Sequence, residues 1–201
     1  MFSLALQPLH GLGAARRIRP LVRHSDRLTS GELATLLLAG AFATVAVAAF
    51  SPAWRIPGHA ILRATLPMVC GMALVPRRFG GSVMTVGAGA AALALSAIGF
   101  GNWQPAAVVS LLALGPAIDI AMTGRATTGW RLYLRFALAG ILANSLSFGV
   151  RFATFAFQHG DGRPRTLTQF SVGVFLSFAA CGALAGLLSA VFCFRSSANA
   201  K

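Results

Sequence analysis

Residues 32–50 read ELATLLLAGAFATVAVAAF, and this stretch decides the class of fold. After Glu32 it carries no charged side chain. A helix of about 20 such residues is about 30 Å long, the thickness of a bilayer's hydrocarbon core. Its start is marked by Thr29-Ser30-Gly31-Glu32. In this capping box a hydroxyl and a carboxylate each satisfy a backbone N–H that the first helical turn leaves open. Five further apolar runs follow, at about 59–75, 82–100, 104–123, 132–157 and 167–194. The expected fold is all-α: an integral membrane bundle of six transmembrane helices.

Composition agrees. Of 201 residues, 56% are hydrophobic and 10% charged, where a soluble domain carries roughly a quarter charged residues. Residues 31–195 read as one transmembrane domain, preceded by a basic segment (1–30) and followed by a short tail (196–201). A net charge of +13 would suggest nucleic acid on a soluble protein. Here the basic residues sit between apolar runs, so no nucleic-acid partner is expected. The only lysine is Lys201. No GxxxxGK[ST] phosphate-binding loop is present, and any ATP-driven step must come from another subunit.

Cytoplasmic flanks of membrane helices collect Lys and Arg. Alternating the six spans puts Arg16, Arg17, Arg19, Arg23, Arg27, Arg77, Arg78, Arg125, Arg131, Arg135, Arg195 and Lys201 on one side. Arg55, Arg63, Arg151, Arg163 and Arg165 fall on the other. The richer side is expected to be cytoplasmic and to hold both termini, in a cell (inner or plasma) membrane. The start, MFSLALQPLHGLGAARRIRPLVR, is apolar first and basic afterwards. A secretory signal has the reverse order, so no cleavage is expected. The N-terminal arginines either signal topology alone or also lie on anionic membrane lipid.

Several polar residues interrupt the apolar runs. His59 and Arg63 are one turn apart at the start of the second run; Asn144, Ser147 and Arg151 share one face of the fifth. An arginine within a membrane helix costs about 2.5–3.5 kcal/mol on insertion scales and normally faces a partner or a wet cavity. Of the four acids, Asp26, Glu32, Asp119 and Asp161, only Asp161 belongs to the arginine-poor side. Two readings are open for these arginines: an anionic small-molecule substrate, or snorkelling to the headgroups on a flexible stem. Asp119 lies at the depth of Arg135, which suggests a structural ion pair between the fourth and fifth helices. On the first helix, Ala39 and Ala43, with Gly40 and Thr44 beside them, recur at spacings of four. Such rows permit close helix approach, either inside the bundle or against a second membrane subunit.

Enzyme templates fail. There is no Gly-x-Ser-x-Gly elbow and no His-Glu-x-x-His, so no catalytic residue is assigned and no cofactor is expected. His59 and His159 are too scattered to argue for a metal site. Cys70, Cys181 and Cys193 show no metal-ligand spacing and read as small buried hydrophobes.

The pattern resembles a substrate-binding S component of an energy-coupling factor (ECF) vitamin transporter. The resemblance covers about residues 30–195. It rests on the six-helix architecture, the small-residue stretch AGAFATVAVAAF, the loop SPAWRIPG and the close of the fourth helix, GPAIDI. It implies a binding subunit without ATPase activity that captures a small molecule near the outer surface under its first outer loop. Such a subunit docks through its first helix on a transmembrane coupling subunit driven by cytoplasmic ATPases. Nickel and cobalt members carry a His close to the N-terminus; this chain begins MFSLALQPLHG, which disfavours metal transport. The implied site comprises Trp54 and Arg55 in the lid, His59 and Arg63 below it, Asn102 and Trp103 in the next outer loop, and Asn144, Ser147 and Arg151. The expected ligand is a small anionic vitamin-like molecule. The competing readings are a structural scaffold within a membrane complex and an uncharacterised integral membrane enzyme.

Overall fold

The computed structural model describes residues 28–49, 58–100, 105–123, 130–158 and 172–194. They form six α-helices and no strand: α1 Ser30–Ala49, α2 Ala60–Leu74, α3 Gly80–Ala97, α4 Pro105–Met122, α5 Trp130–Gln158 and α6 Val172–Phe194. The expected runs and the helices agree to within a few residues; the first part of the sixth run, 167–171, lies outside the described residues. The capping box forms as expected. Thr29 N donates to Glu32 Oε2 (3.1 Å) and Glu32 N to Thr29 Oγ1 (3.3 Å). The third run ends earlier than its hydropathy suggested, because Gly99 adopts a left-handed conformation (φ 71°). The amides of Ile98, Gly99 and Phe100 fold back onto the last carbonyls of α3.

Five helices, α1, α3, α4, α5 and α6, are long and apolar enough to cross a membrane. The exception is α2, with 15 residues and a length of about 22 Å at 1.5 Å per residue. Its apolar run is interrupted by Pro67, which withholds an amide from the Arg63 carbonyl one turn earlier.

Inter-helix contacts close a ring in the order α1–α3–α4–α5–α6–α2, with α2 also touching α4. The seams are built on glycine. A Cβ on Gly40 would strike the Met84 carbonyl of α3, and one on Gly87 would strike Leu37 of α1. Gly81 and Gly115 face each other across α3 and α4, as do Gly140 and Gly182 across α5 and α6. Without a hydrophobic force between helices in lipid, close backbone approach and interhelical hydrogen bonds supply the attraction. The outer surface is the apolar one: Leu38, Phe42, Val86, Leu93, Ile120, Leu184 and Phe192 are exposed, while Thr44, Asn144 and Ser189 are buried. That distribution suits a lipid solvent and would leave a water-soluble protein with a very large apolar patch. The chain is a multi-pass helical membrane protein.

Contacts fix relative directions. Thr44 meets Ala88 and Leu36 lies near Gly80, so α1 and α3 run parallel. Gly58 lies against Phe178 and Cys70 against Cys193, so α2 and α6 also run parallel. The start of α1 and the end of α6 therefore lie at one end of the bundle. Among the described residues this end carries Arg77, Arg78, Arg131 and Arg135 with both acids, Glu32 and Asp119. It is called the basic end here; Arg63 and Arg151 belong to the far half.

Candidate functional site

At the far end α2 begins beside the last turn of α1. Arg63, half-buried on α2, turns toward α1 and donates from Nη1 to the Val47 carbonyl at 3.0 Å. Its Nε is buried and has no hydrogen-bond partner among the described residues. The final carbonyls of a helix lack intrahelical amides and carry the negative end of its dipole. A guanidinium placed there complements them, but with only part of its donor set. Both described acids lie at the basic end: Glu32 is paired with Arg77 and Asp119 is bonded to the start of α3. Among the described residues, then, Arg63 has no carboxylate partner.

The polar face of α5 divides between its neighbours. Asn144 is 2% exposed and donates from Nδ2 to the Phe178 carbonyl of α6 (2.7 Å) and to the Gly58 carbonyl just before α2 (3.2 Å). Gly58 has a positive φ of 84°, and a Cβ there would lie 2.8 Å from Asn144 Nδ2. The amide thus pins a turn that only glycine adopts without strain. Ser147 Oγ donates the other way, to the Ala106 carbonyl at the start of α4 (2.8 Å). Arg151 is exposed. By helical spacing Asn144, Ser147 and Arg151 share one face of α5. Each meets a different environment, and the two buried groups are engaged by backbone carbonyls, as buried polar groups must be. Trp54, Arg55, Asn102 and Trp103 lie outside the described residues; His59 sits in the turn that opens α2.

The expected ion pair between Asp119 and Arg135 is replaced by two separate arrangements. Asp119 Oδ1 accepts from Gly81 N (2.7 Å), and Oδ2 accepts from Ser82 N (2.8 Å) and Ser82 Oγ (2.7 Å). Arg135 Nη1 donates to the Thr123 carbonyl just past the end of α4. Depth alone suggested the pair. The open amides of a helix N-terminus are the better partner for a carboxylate, since they combine hydrogen bonds with a favourable dipole.

The small-residue rows of α1 lie inside the bundle. Gly40, Ala43 and Thr44 are buried, and Ala39 is partly buried. Gly40 packs on α3, Ala39 lies against Gly71 of α2, and Thr44 Oγ1 donates to the Ala88 carbonyl (3.0 Å). These rows serve the chain's own interior. The lipid-facing side of α1 is instead Leu33, Leu38, Phe42 and Val45.

Two contacts escaped the sequence reading. Glu32 receives Arg77 through Nη2 at 2.8 and 3.0 Å and Nε at 3.2 Å, tying α1 to the turn between α2 and α3. The signal available was that both lie at the same membrane level. Cys70 and Cys193 bring their sulfurs to 2.9 Å across α2 and α6; nothing in their spacing of 123 positions announces it.

No family model matches the chain, and neither the curated proteins nor the solved structures contain a match.

Proposed function

We propose that this protein is a membrane-embedded binding subunit that takes a small anionic molecule at the Arg63 end of the bundle. Arg63 carries this reading: a half-buried guanidinium held by one backbone carbonyl, with a buried Nε left unbonded and no described carboxylate to neutralise it. Burying a cation in that state is unfavourable unless an anion completes its hydrogen bonds, and a carboxylate or phosphate fits the planar donor fork of arginine. The best-fitting role is that of an S component in an ECF-type importer of the cell membrane. In that role all six helices cross the bilayer, both termini are cytoplasmic, and a transmembrane coupling subunit with cytoplasmic ATPases supplies the energy.

The test is a thermal-stability screen of detergent-purified protein against carboxylate- and phosphate-bearing vitamins, repeated on Arg63→Gln. A ligand that raises the Tm of the wild type and loses at least tenfold in affinity on Arg63→Gln supports the reading. Stabilisation that survives Arg63→Gln undiminished removes Arg63 from the site and the reading with it.

A structural membrane protein is the second reading. It is favoured by the Arg63–Val47 bond, which makes the guanidinium a cap on α1. It expects Arg63→Gln to lower the Tm in the absence of any ligand, with no vitamin shifting either protein.

A further inference from the structure

At the basic end of the α2–α6 seam, Cys70 Sγ and Cys193 Sγ lie 2.9 Å apart. We propose that this pair is a redox-active dithiol which a two-electron oxidant of the quinone or hydroperoxide class closes into a disulfide, stapling α2 to α6.

The placement supports it in three ways. First, a disulfide bond is about 2.05 Å long, so the two sulfurs need only a small approach. They sit on helices that already pack in parallel from Gly58–Phe178 onward. Second, the two sulfurs differ in access: Cys70 is partly buried, whereas Cys193 is 5% exposed. The first is the one an oxidant meets, and the second is positioned to resolve it. Third, Cys70 lies four residues before the end of α2 at Leu74 and Cys193 is next to the last residue of α6. The pair is thus within about 6 Å, one turn or so, of the helix ends at the basic end of the bundle. Lipid-soluble oxidants reach such a level; bulky water-soluble thiols do so less readily.

The chemistry balances with either oxidant. A hydroperoxide converts the Cys70 thiol to a sulfenic acid and leaves as the alcohol. The Cys193 sulfur then attacks the sulfenic sulfur, the S–S bond forms, and water departs. With a quinone, the Cys70 sulfur adds to the ring and Cys193 displaces it. Two S–H bonds are lost, one S–S bond forms, and two electrons and two protons leave as the hydroquinone. Reduction by a dithiol reverses the process through a mixed disulfide. The third cysteine, Cys181, is 12 residues from Cys193 on α6, roughly 18 Å along the helix axis, and is a built-in control. The inference stands apart from the anion-binding reading, although the helix it would tether also carries Arg63.

The experiment uses the full chain, purified in detergent and fully reduced, then exposed to duroquinone or to tert-butyl hydroperoxide. Remaining thiols are counted by intact mass after denaturing alkylation, and the bridge is located by non-reducing peptide mapping. Wild type is expected to fall from three alkylated thiols to one, with a Cys70–Cys193 peptide pair and a Tm several degrees higher. Cys181→Ser should fall from two to none. Cys193→Ala, treated with hydroperoxide, should trap a sulfenic acid at Cys70 by dimedone, and Cys70→Ala should trap none at Cys193. Closure by only one of the two oxidants assigns the oxidant class. Three thiols surviving both oxidants in the wild type, a bridge through Cys181, or bridges only between chains would overturn the proposal. The wild-type measurements decide it even if a variant fails to fold.

Discussion

Asp119 on α4 and Ser82 on α3 share two hydrogen bonds, from the Ser82 amide (2.8 Å) and hydroxyl (2.7 Å) to one carboxylate oxygen, while the other oxygen takes the Gly81 amide. One helix therefore caps the next. The cap stands beside the Gly81–Gly115 approach, where a Cβ on either glycine would strike the other's carbonyl. Polar cap and glycine seam hold the same pair of helices at successive levels.

Removing the cap is expected to open this seam. Asp119→Ala leaves two amides and a hydroxyl without an acceptor and should lower stability by about 1–3 kcal/mol, the cost of stranding part-buried donors. Arg135→Gln should cost less, because its bond to the Thr123 carbonyl is solvent-exposed. Reversible unfolding in mixed micelles measures both. Equal losses, non-additive in the double variant, would restore the ion pair between Asp119 and Arg135.

On α1, substitutions should divide by face. Gly40→Ala puts a methyl group into the Met84 carbonyl, and overpacking of this kind typically costs about 1–3 kcal/mol. Leu38→Ala on the exposed side should be nearly neutral. The readouts are monodisperse yield and Tm. A well-folded, stable Gly40→Ala protein would contradict the tight α1–α3 seam.

At the other end of the bundle, Asn144→Ala deletes both hydrogen bonds that join α5 to α6 and to the Gly58 turn. A loss of about 1–3 kcal/mol is expected from the stranded carbonyls. Gly58→Ala should be destabilising as well, since its φ of 84° disfavours any side chain. Arg151→Gln, at an exposed position, should leave stability unchanged. A large effect of Arg151→Gln would show that the exposed arginine has a partner that the helices alone do not supply.

Orientation has its own test. With the basic end in the cytoplasm, a cysteine introduced at Gly31 or Ser197 into a cysteine-free background should react with impermeant maleimide only after permeabilisation. One at Gly160 should react in intact cells. Labelling of Ser197 from outside would invert or break the six-span topology.

The apolar runs and the capping box were legible along the chain because both are local. Run length against bilayer thickness is read residue by residue, and Thr29 and Glu32 meet because one helical turn brings them together. So is the division of the described arginines, with Arg77, Arg78, Arg131 and Arg135 at one end and Arg63 and Arg151 in the far half, since charge placement follows from the order of the spans. What the chain alone left open was the partner of each polar or small residue. Ala39, Gly40, Ala43 and Thr44 mark a close-packing face equally well whether another helix of the chain or another subunit fills it. Only the ring order, with α3 beside α1, decided that the filler is internal. In the same way Asp119 turned to the start of α3, Asn144 to α2 and α6, Ser147 to α4, and Cys70 to Cys193. Helical periodicity fixes which residues share a face but not which neighbour that face meets. In a lipid solvent, where apolar burial barely discriminates between neighbours, backbone approach at glycine and hydrogen bonds between helices make that choice.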